Sequence, residues 1–382
     1  IEREMAAINT LEASKRIVIK IGSGLIVDSN GSVRHNWLDN FVSDVTKLRE
    51  SKKEIIIVTS GAVALGRNLL GINKNIKLKL SMAQCAAASG QIELITAYKN
   101  AFTKRNTKVA QLLLTIGDTE ERRKYLNTRN TLSVLLENHM VPIINENDTV
   151  TTSEIRYGDN DRLAARVTSM SSSDCLVILS DVDGIYTESP KNKNAKHIPI
   201  VKKITPEIMA MARDTNSTYG TGGMITKLEA ARISTESGAH MIIANGEINN
   251  PIENIINGGK STLFMAKTSP SLARKNWIAG MLEPKGHIYI DSGAKEALKK
   301  GRSLLPAGTT KVTGDFERGD AVIIFDNNEN EVARGLAAYS IEDAQLIIMK
   351  KTLEIEKILG YKGRSALVHI DDLVVTNGDD NG

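Results

Sequence analysis

From Arg16 to Asn245 the chain repeats one pattern: a short unbroken apolar run, a polar break, then a longer stretch with apolar positions three and four apart. The runs RIVIKI (16–21), EIIIVT (54–59), VAQLLLT (109–115), VPIIN (141–145), CLVILS (175–180) and HMIIAN (240–245) read as strands buried on both faces. Trp37, Leu38, Phe41, Val45 and Leu48 keep helical spacing, which predicts a helix over 37–50. Further helices are predicted within 62–104, over 120–138 and 162–169, and from the GTGGMITK stretch (220–227) to a stop at Gly238. Asn30-Gly31 predicts a turn in a small hairpin, and 188–197 reads as a polar surface excursion. Strands alternating with helices predict an α/β domain, with a mostly parallel sheet sandwiched by helices.

Past Ala266 the alternation stops. HIYID, KVTG, AVIIF and ALVHI are short strand-like pieces separated by turn signals, including 326–330. They predict a small C-terminal β-rich domain. The expected organisation is an N-terminal extension (1–15), an α/β domain (16–266), a linker (267–280), a β-rich domain (281–375) and a disordered tail (376–382).

Composition narrows the function class. The chain has 382 residues, 41% hydrophobic and 25% charged, as expected of an ordinary globular protein. No apolar run approaches the roughly 18 residues of a membrane span. The opening IEREMAAINTLEASK carries acids, so a signal peptide is not expected; with Ile1 first, the true start is expected upstream or trimmed. Cys85 and Cys175 stand apart in apolar settings, which points to buried, inert thiols in a reducing, cytoplasmic compartment. The six histidines are scattered, with no zinc-ligand spacing. Net charge is +4, too small to imply nucleic acid. From Lys267 onward, 16 Lys and Arg face 17 Asp and Glu, a net charge of −1 that suits a phosphate backbone poorly.

In open α/β sheets ligands gather at the carboxyl ends of the strands. Here those ends carry Lys20 with Gly22-Ser23-Gly24, Thr59-Ser60-Gly61, NENDTV (145–150) and Ser180-Asp181. No GxxxxGK[ST] occurs, so a P-loop is excluded, and GSGLIV lacks the third glycine of GxGxxG, so a dinucleotide fingerprint is not supported. A phosphate site would use two glycine loops, each with its own lysine: Gly22–Gly24 with Lys20, and Gly220–Gly223 with Lys227. Two converging cations suit phosphoryl transfer, where charge spreads over the moving oxygens. Each lysine alone also fits a solvated surface position. GDNDRL (158–163) puts Asp159, Asn160 and Asp161 before a helix; one could cap it, and the group could orient lysines, bind magnesium through water or hold an ammonium.

These stretches together resemble the amino acid kinase family, in its glutamate 5-kinase branch. VIKIGSGLIV, IVTSGAVALGR, YLNTRNTL, VPIINENDTV, YGDNDRLAA, ILSDVDGIYT and GTGGMITK carry the kinase resemblance. GRSLLPAG, FERGDAV, ARGLAAY and ILGYKGR resemble a PUA domain. The resemblance implies transfer of the ATP γ-phosphate to the side-chain carboxylate of L-glutamate, the first step of proline biosynthesis. It assigns Lys20 and Lys227 to phosphate and transition-state stabilisation, with Asp161 orienting both. It places glutamate against Ser60, Gly61, Asn145, Asp148, Asp159 and Asn160. It places nucleotide against Lys20, Gly22, Ser180, Asp181, Thr221, Gly222, Gly223, Met224, Ile225, Thr226 and Lys227. Mg²⁺ is implied with ATP, though no protein metal ligand is assigned. Proline as feedback inhibitor, a homo-oligomer built through the kinase domain and a glutamyl phosphate reductase partner are also implied. A glutamate carboxyl, with a pKa of about 4.3, is already ionised at neutral pH, so no general base is needed. Gly24 stands where Ser or Thr is common, and Ile370 where an arginine is frequent. Two rivals stay open: a sibling kinase for another small carboxylate, and an RNA-binding PUA protein on an inactive kinase scaffold.

Overall fold

The computed structural model describes residues 5–73, 75–151, 159–188, 190, 192–213, 223–279 and 284–376. The chain divides into two units, Ile1–Pro270 and Ser271–Gly382.

The first unit contains strands β1 (Arg16–Ile21), β2 (Glu54–Val58), β3 (Val109–Leu114), β4 (Val141–Glu146), β5 (Cys175–Ser180), β6 (Ile185–Tyr186), β7 (His197–Ile198), β8 (Ile200–Val201), β9 (His240–Asn245) and β10 (Ser261–Phe264). Eight form one sheet in the order β3-β4-β2-β1-β5-β9-β10-β8. All neighbours are parallel except β9 and β10. β6 and β7 form a separate antiparallel pair beside the expected surface excursion. β1 lies between β2 and β5, with Lys20 opposite Val58 on one side and Ile178 on the other. After β1 the chain builds outward through β2, then returns to the other side of β1 at β5. That reversal is where open α/β sheets form their ligand crevice.

Successive strand residues face opposite sides, and both sides are buried in β1, β2, β4, β5 and β9. The edge strand β3, read as buried on both faces, leaves Gln111 and Leu113 exposed, because no strand among the described residues pairs beyond it. Of the two cysteines read as buried, Cys175 is buried in β5 and Cys85 is exposed. Ile17, Ile19, Ile55, Ile57 and Val177 join a core with Trp37, Phe41 and Tyr98. Val18, Ile56, Ile144, Leu176 and Ile178 join the opposite core with Leu163, Leu228 and Ala231. The helix Met5–Ala13 puts Ala7 and Leu11 into the first of these cores, so part of the expected extension is built into this unit. The expected hairpin is present as a bridge between Val27 and Val33, with Gly31 at φ +79°.

Helices Ala62–Leu69 and Leu80–Thr103 cross at near backbone contact. A Cβ on Gly66 would lie 1.7 Å from the Ala86 carbonyl oxygen, and one on Gly90 would lie 1.9 Å from that of Ala62. The hydroxyls of Tyr98 and Thr59 meet at 3.0 Å, which fastens the longer helix to the end of β2. No helix among the described residues is long and apolar enough to cross a membrane.

The second unit holds β11 (Gly286–Ile290), β12 (Thr309–Gly314), β13 (Ala321–Phe325), β14 (Glu331–Leu336) and β15 (Leu373–Val375), in the order β12-β11-β13-β14-β15. Its pairs are antiparallel except β11 with β13. The 326–330 turn is closed by the Asp326 carboxylate, which accepts the N–H groups of Asn328 and Asn330. Two expectations change here. The 267–280 stretch, read as a linker, contains the helix Pro270–Ala279, whose Arg274 is paired with Asp372 at 2.5 Å in a nearly buried setting. ALVHI, read as a strand, supplies only an isolated bridge from Val368 to Leu304, and the neighbouring strand is β15. Of the tail expected at 376–382, Thr376 donates its N–H to the Val332 carbonyl oxygen at 3.0 Å and so continues the pairing of β15, and 377–382 lie outside the described residues.

Candidate active site

Parallel pairing of β4, β2, β1 and β5 puts their carboxyl ends on one edge of the sheet. Lys20 is the penultimate residue of β1 and is buried there. The helix Asp159–Met170 presents Asp161 in its first turn, where the helix dipole favours an acid. The helix Gly223–Glu236 presents Thr226 and Lys227 in its first turns.

These elements meet at one carboxylate. Lys20 Nζ lies 2.6 Å from Asp161 Oδ1, and Lys227 Nζ lies 3.4 Å from Oδ2. Thr226 Oγ1 donates to Oδ2 at 2.9 Å. The Asp161 side chain is 1% exposed. Burial by itself would raise its pKa, but the charges of Lys20 and Lys227, with hydrogen bonds from Lys20 and Thr226, hold it below the ordinary value of 3.8. The carboxylate therefore stays ionised at neutral pH. Two cations to one anion leave one positive charge in excess, largely shielded from water, which suits an incoming phosphate. Gly22 lies beside it: a Cβ there would stand in ordinary contact with the Leu179 carbonyl oxygen at 3.8 Å and with Lys20 Nζ at 4.0 Å.

A second group sits on the same edge. Asn160 Nδ2 donates to Ser60 Oγ at 2.9 Å and to Asn145 Oδ1 at 3.4 Å. Asn145 is 2% exposed, and its Nδ2 donates to Gln91 Oε1 at 2.8 Å. Asn160 Oδ1 is buried and has no hydrogen-bond partner among the described residues. Such an acceptor is costly unless a ligand donor completes it. Gly61, at φ +112°, turns the chain from Ser60 into the helix Ala62–Leu69, a conformation that favours glycine. Asp148 is buried and lines a cleft of about 300 Å³ that Gln91 also borders.

The structure thus brings Lys20, Asp161, Thr226 and Lys227 together, and separately Ser60, Asn145 and Asn160. Ser180 donates to Asp181 at 2.7 Å at the end of β5, the strand beside β1. Gly223, Met224 and Ile225 open the lysine helix, with Ile225 exposed. Thr221, Gly222 and the Asp159 side chain lie outside the described residues. Thr226, expected to meet nucleotide, has its hydroxyl 2.9 Å from Asp161 Oδ2 and 3.2 Å from the Gly223 carbonyl oxygen. Gln91 was missed by the sequence reading, because it sits inside an alanine-rich helix with no loop motif near it.

Among the described residues no group of three His, Cys, Asp or Glu is placed to hold a metal. Residues 15–245 match the amino acid kinase family, and residues 286–359 match the PUA domain. The glutamate 5-kinase of Paramagnetospirillum magneticum is 51% identical over 367 residues, covering 96% of this chain and 99% of its own. That of Agrobacterium fabrum is also 51% identical, covering 96% of this chain and 94% of its own. That of Bradyrhizobium diazoefficiens is 50% identical, covering 96% and 98%. Two buried lysines on one carboxylate at the edge of a parallel sheet, and this similarity along both units, lead to one assignment: the chain belongs to the amino acid kinase family, in its glutamate 5-kinase group, with a C-terminal PUA domain.

Proposed function

We propose that the chain transfers the γ-phosphoryl group of ATP to the side-chain carboxylate of L-glutamate, giving L-glutamyl 5-phosphate for proline biosynthesis. The observation that carries this reading is the convergence of Lys20 and Lys227 on Asp161. The substrates are both anions, and the main obstacle is their repulsion. Lys20 and Lys227 offset it by facing the phosphate oxygens, while Asp161 fixes both amino groups before substrate arrives. The attacking oxygen of glutamate is already ionised, so these residues need not remove a proton. The Ser180-Asp181 end of β5 and the 221–227 stretch, which from Gly223 onward opens the lysine helix, hold the nucleotide.

Among the described residues no group of protein acids is placed to hold magnesium by itself, so the ion would enter with ATP. Asp181, exposed at the end of β5, would face the ion through its water shell. When bound, the ion neutralises phosphate charge.

Ser60, Asn145, Asn160 and Asp148 hold glutamate, and the open acceptor on Asn160 suits its ammonium group. This feature favours an amino acid over carbamate or an N-acylated acid. The same reading carries a cytoplasmic setting, proline as feedback inhibitor, a homo-oligomer and a glutamyl phosphate reductase as consumer of the product. Neither rival gains support from relatives that match along nearly the whole chain. ADP release measured with L-glutamate, N-acetylglutamate, aspartate and carbamate tests the proposal. Turnover with glutamate above the others is expected; turnover with another acid and none with glutamate would overturn it.

A further inference from the structure

The amide groups of Gln91, Asn145 and Asn160 form a chain whose direction is fixed at one point. Amide oxygen and nitrogen can exchange places by rotation, so such a chain usually has two readings. Here a backbone group removes one of them. The Glu146 N–H donates to Asn145 Oδ1 at 2.9 Å, and a backbone N–H cannot become an acceptor. Turning Asn145 over would set its NH₂ against that N–H. Asn145 Nδ2 must therefore face Gln91, and Gln91 must offer Oε1, which it does at 2.8 Å.

The consequence runs to the other end. With its oxygen held inward, Asn145 asks for a donor from Asn160, and Asn160 Nδ2 lies 3.4 Å away while also serving Ser60. The Asn160 oxygen is left over, buried and unpartnered among the described residues. The polarity of the chain thus makes Asn160 present an acceptor to the site, so the group it meets must be a donor.

We infer that Gln91 is a positioning residue for the amino-acid substrate: as the acceptor for Asn145 Nδ2 it anchors the amide chain whose direction the Glu146 N–H sets, and so holds the Asn160 oxygen toward the substrate's ammonium. Gln91 touches neither reacting oxygen nor nucleotide in this role. It acts from the helix Leu80–Thr103, which the Tyr98–Thr59 contact and the Gly66 and Gly90 crossing hold in place. This inference rests on glutamate being the substrate.

The test compares two binding constants in each variant: the KM for L-glutamate, and the inhibition constant of glutarate, the same dicarboxylate without the ammonium. Neither depends on how much of a preparation is folded. Gln91→Met keeps the bulk and removes the acceptor. It should raise the glutamate KM about tenfold, the loss of roughly one hydrogen bond to a charged group, and leave the glutarate constant unchanged. Gln91→Glu restores an acceptor and should return the ratio of the two constants close to wild type. Gln91→Lys can only donate and should shift the ratio as Met does, which keeps the comparison available if Met folds poorly. A ratio that is the same in Gln91→Met or Gln91→Lys as in Gln91→Glu would overturn the inference. Wild-type protein that binds glutarate and glutamate alike would overturn it too, while leaving phosphoryl transfer standing. Wild-type protein with no glutamate turnover would overturn the functional reading beneath it.

Discussion

Lys20 and Lys227 are held by opposite oxygens of the same buried carboxylate. One comes from the central strand and the other from a helix far along the chain. Asp161 keeps two like charges close together at a site that is empty of other anions among the side chains bonded to it. Asp161→Asn should leave these cations facing each other, costing roughly 3 kcal/mol, as removal of one partner of a buried ion pair does. A non-hydrolysable ATP analogue should recover part of that loss, since phosphate supplies the missing anion. Thermal melting with and without the analogue checks this. A larger upward shift in the variant than in wild type is expected, and equal shifts would count against the arrangement.

Acid stability follows from the same group. The Asp161 pKa lies below 3.8 in the folded protein, so the unfolded chain takes up its proton first. Its contribution is complete above the unfolded value and is lost as pH falls through the folded one. Thr226→Val removes one of the hydrogen bonds that lower this pKa, and should move the loss to higher pH. Denaturant unfolding at a series of acidic pH values gives the comparison. Superimposable curves for wild type and variant would contradict it.

Ser60→Ala removes the acceptor that Asn160 Nδ2 holds at 2.9 Å. The glutamate KM should rise about tenfold, with the ATP KM nearly unchanged, because one hydrogen bond in the substrate chain is lost. Steady-state kinetics with each substrate varied in turn measures both. A rise in the ATP KM alone would place Ser60 with the nucleotide instead.

Gly66→Ala tests the scaffold behind that chain. The added methyl would overlap the backbone of Ala86, which cannot yield as a side-chain end can. Overpacking of this kind costs typically 1–3 kcal/mol and can cost more. A lowered thermal midpoint is expected, with the glutamate KM raised in the protein that remains folded. An unchanged midpoint would show that the two helices are free to separate.

Much of this was legible in sequence because both faces of the sheet are covered. IVI within RIVIKI and CLVIL within CLVILS are apolar at every position for that reason, and a run of this kind needs no partner to be recognised. β8 and β10 escaped because IV and STLF are too short to show a period. The helix Pro270–Ala279 reads as a polar linker because its anchor, Arg274, is paired with Asp372 in a distant part of the chain. At the site, glycine loops and polar strand ends marked Lys20, Ser60, Asn145 and Lys227 locally. Gln91 carries no such mark. Its role comes from Asn145, 54 positions away, and only the packing of the helix Leu80–Thr103 brings the two together.

The central claim is that both lysines act on one phosphoryl group as a unit. Glutamate-dependent kcat measured for Lys20→Ala, Lys227→Ala and the double variant tests it most directly. Each single change should lower kcat by about 10²–10³-fold with circular dichroism unchanged, and the double variant should be little worse than either. Near-normal turnover in either single variant, or losses that simply multiply in the double, would contradict it.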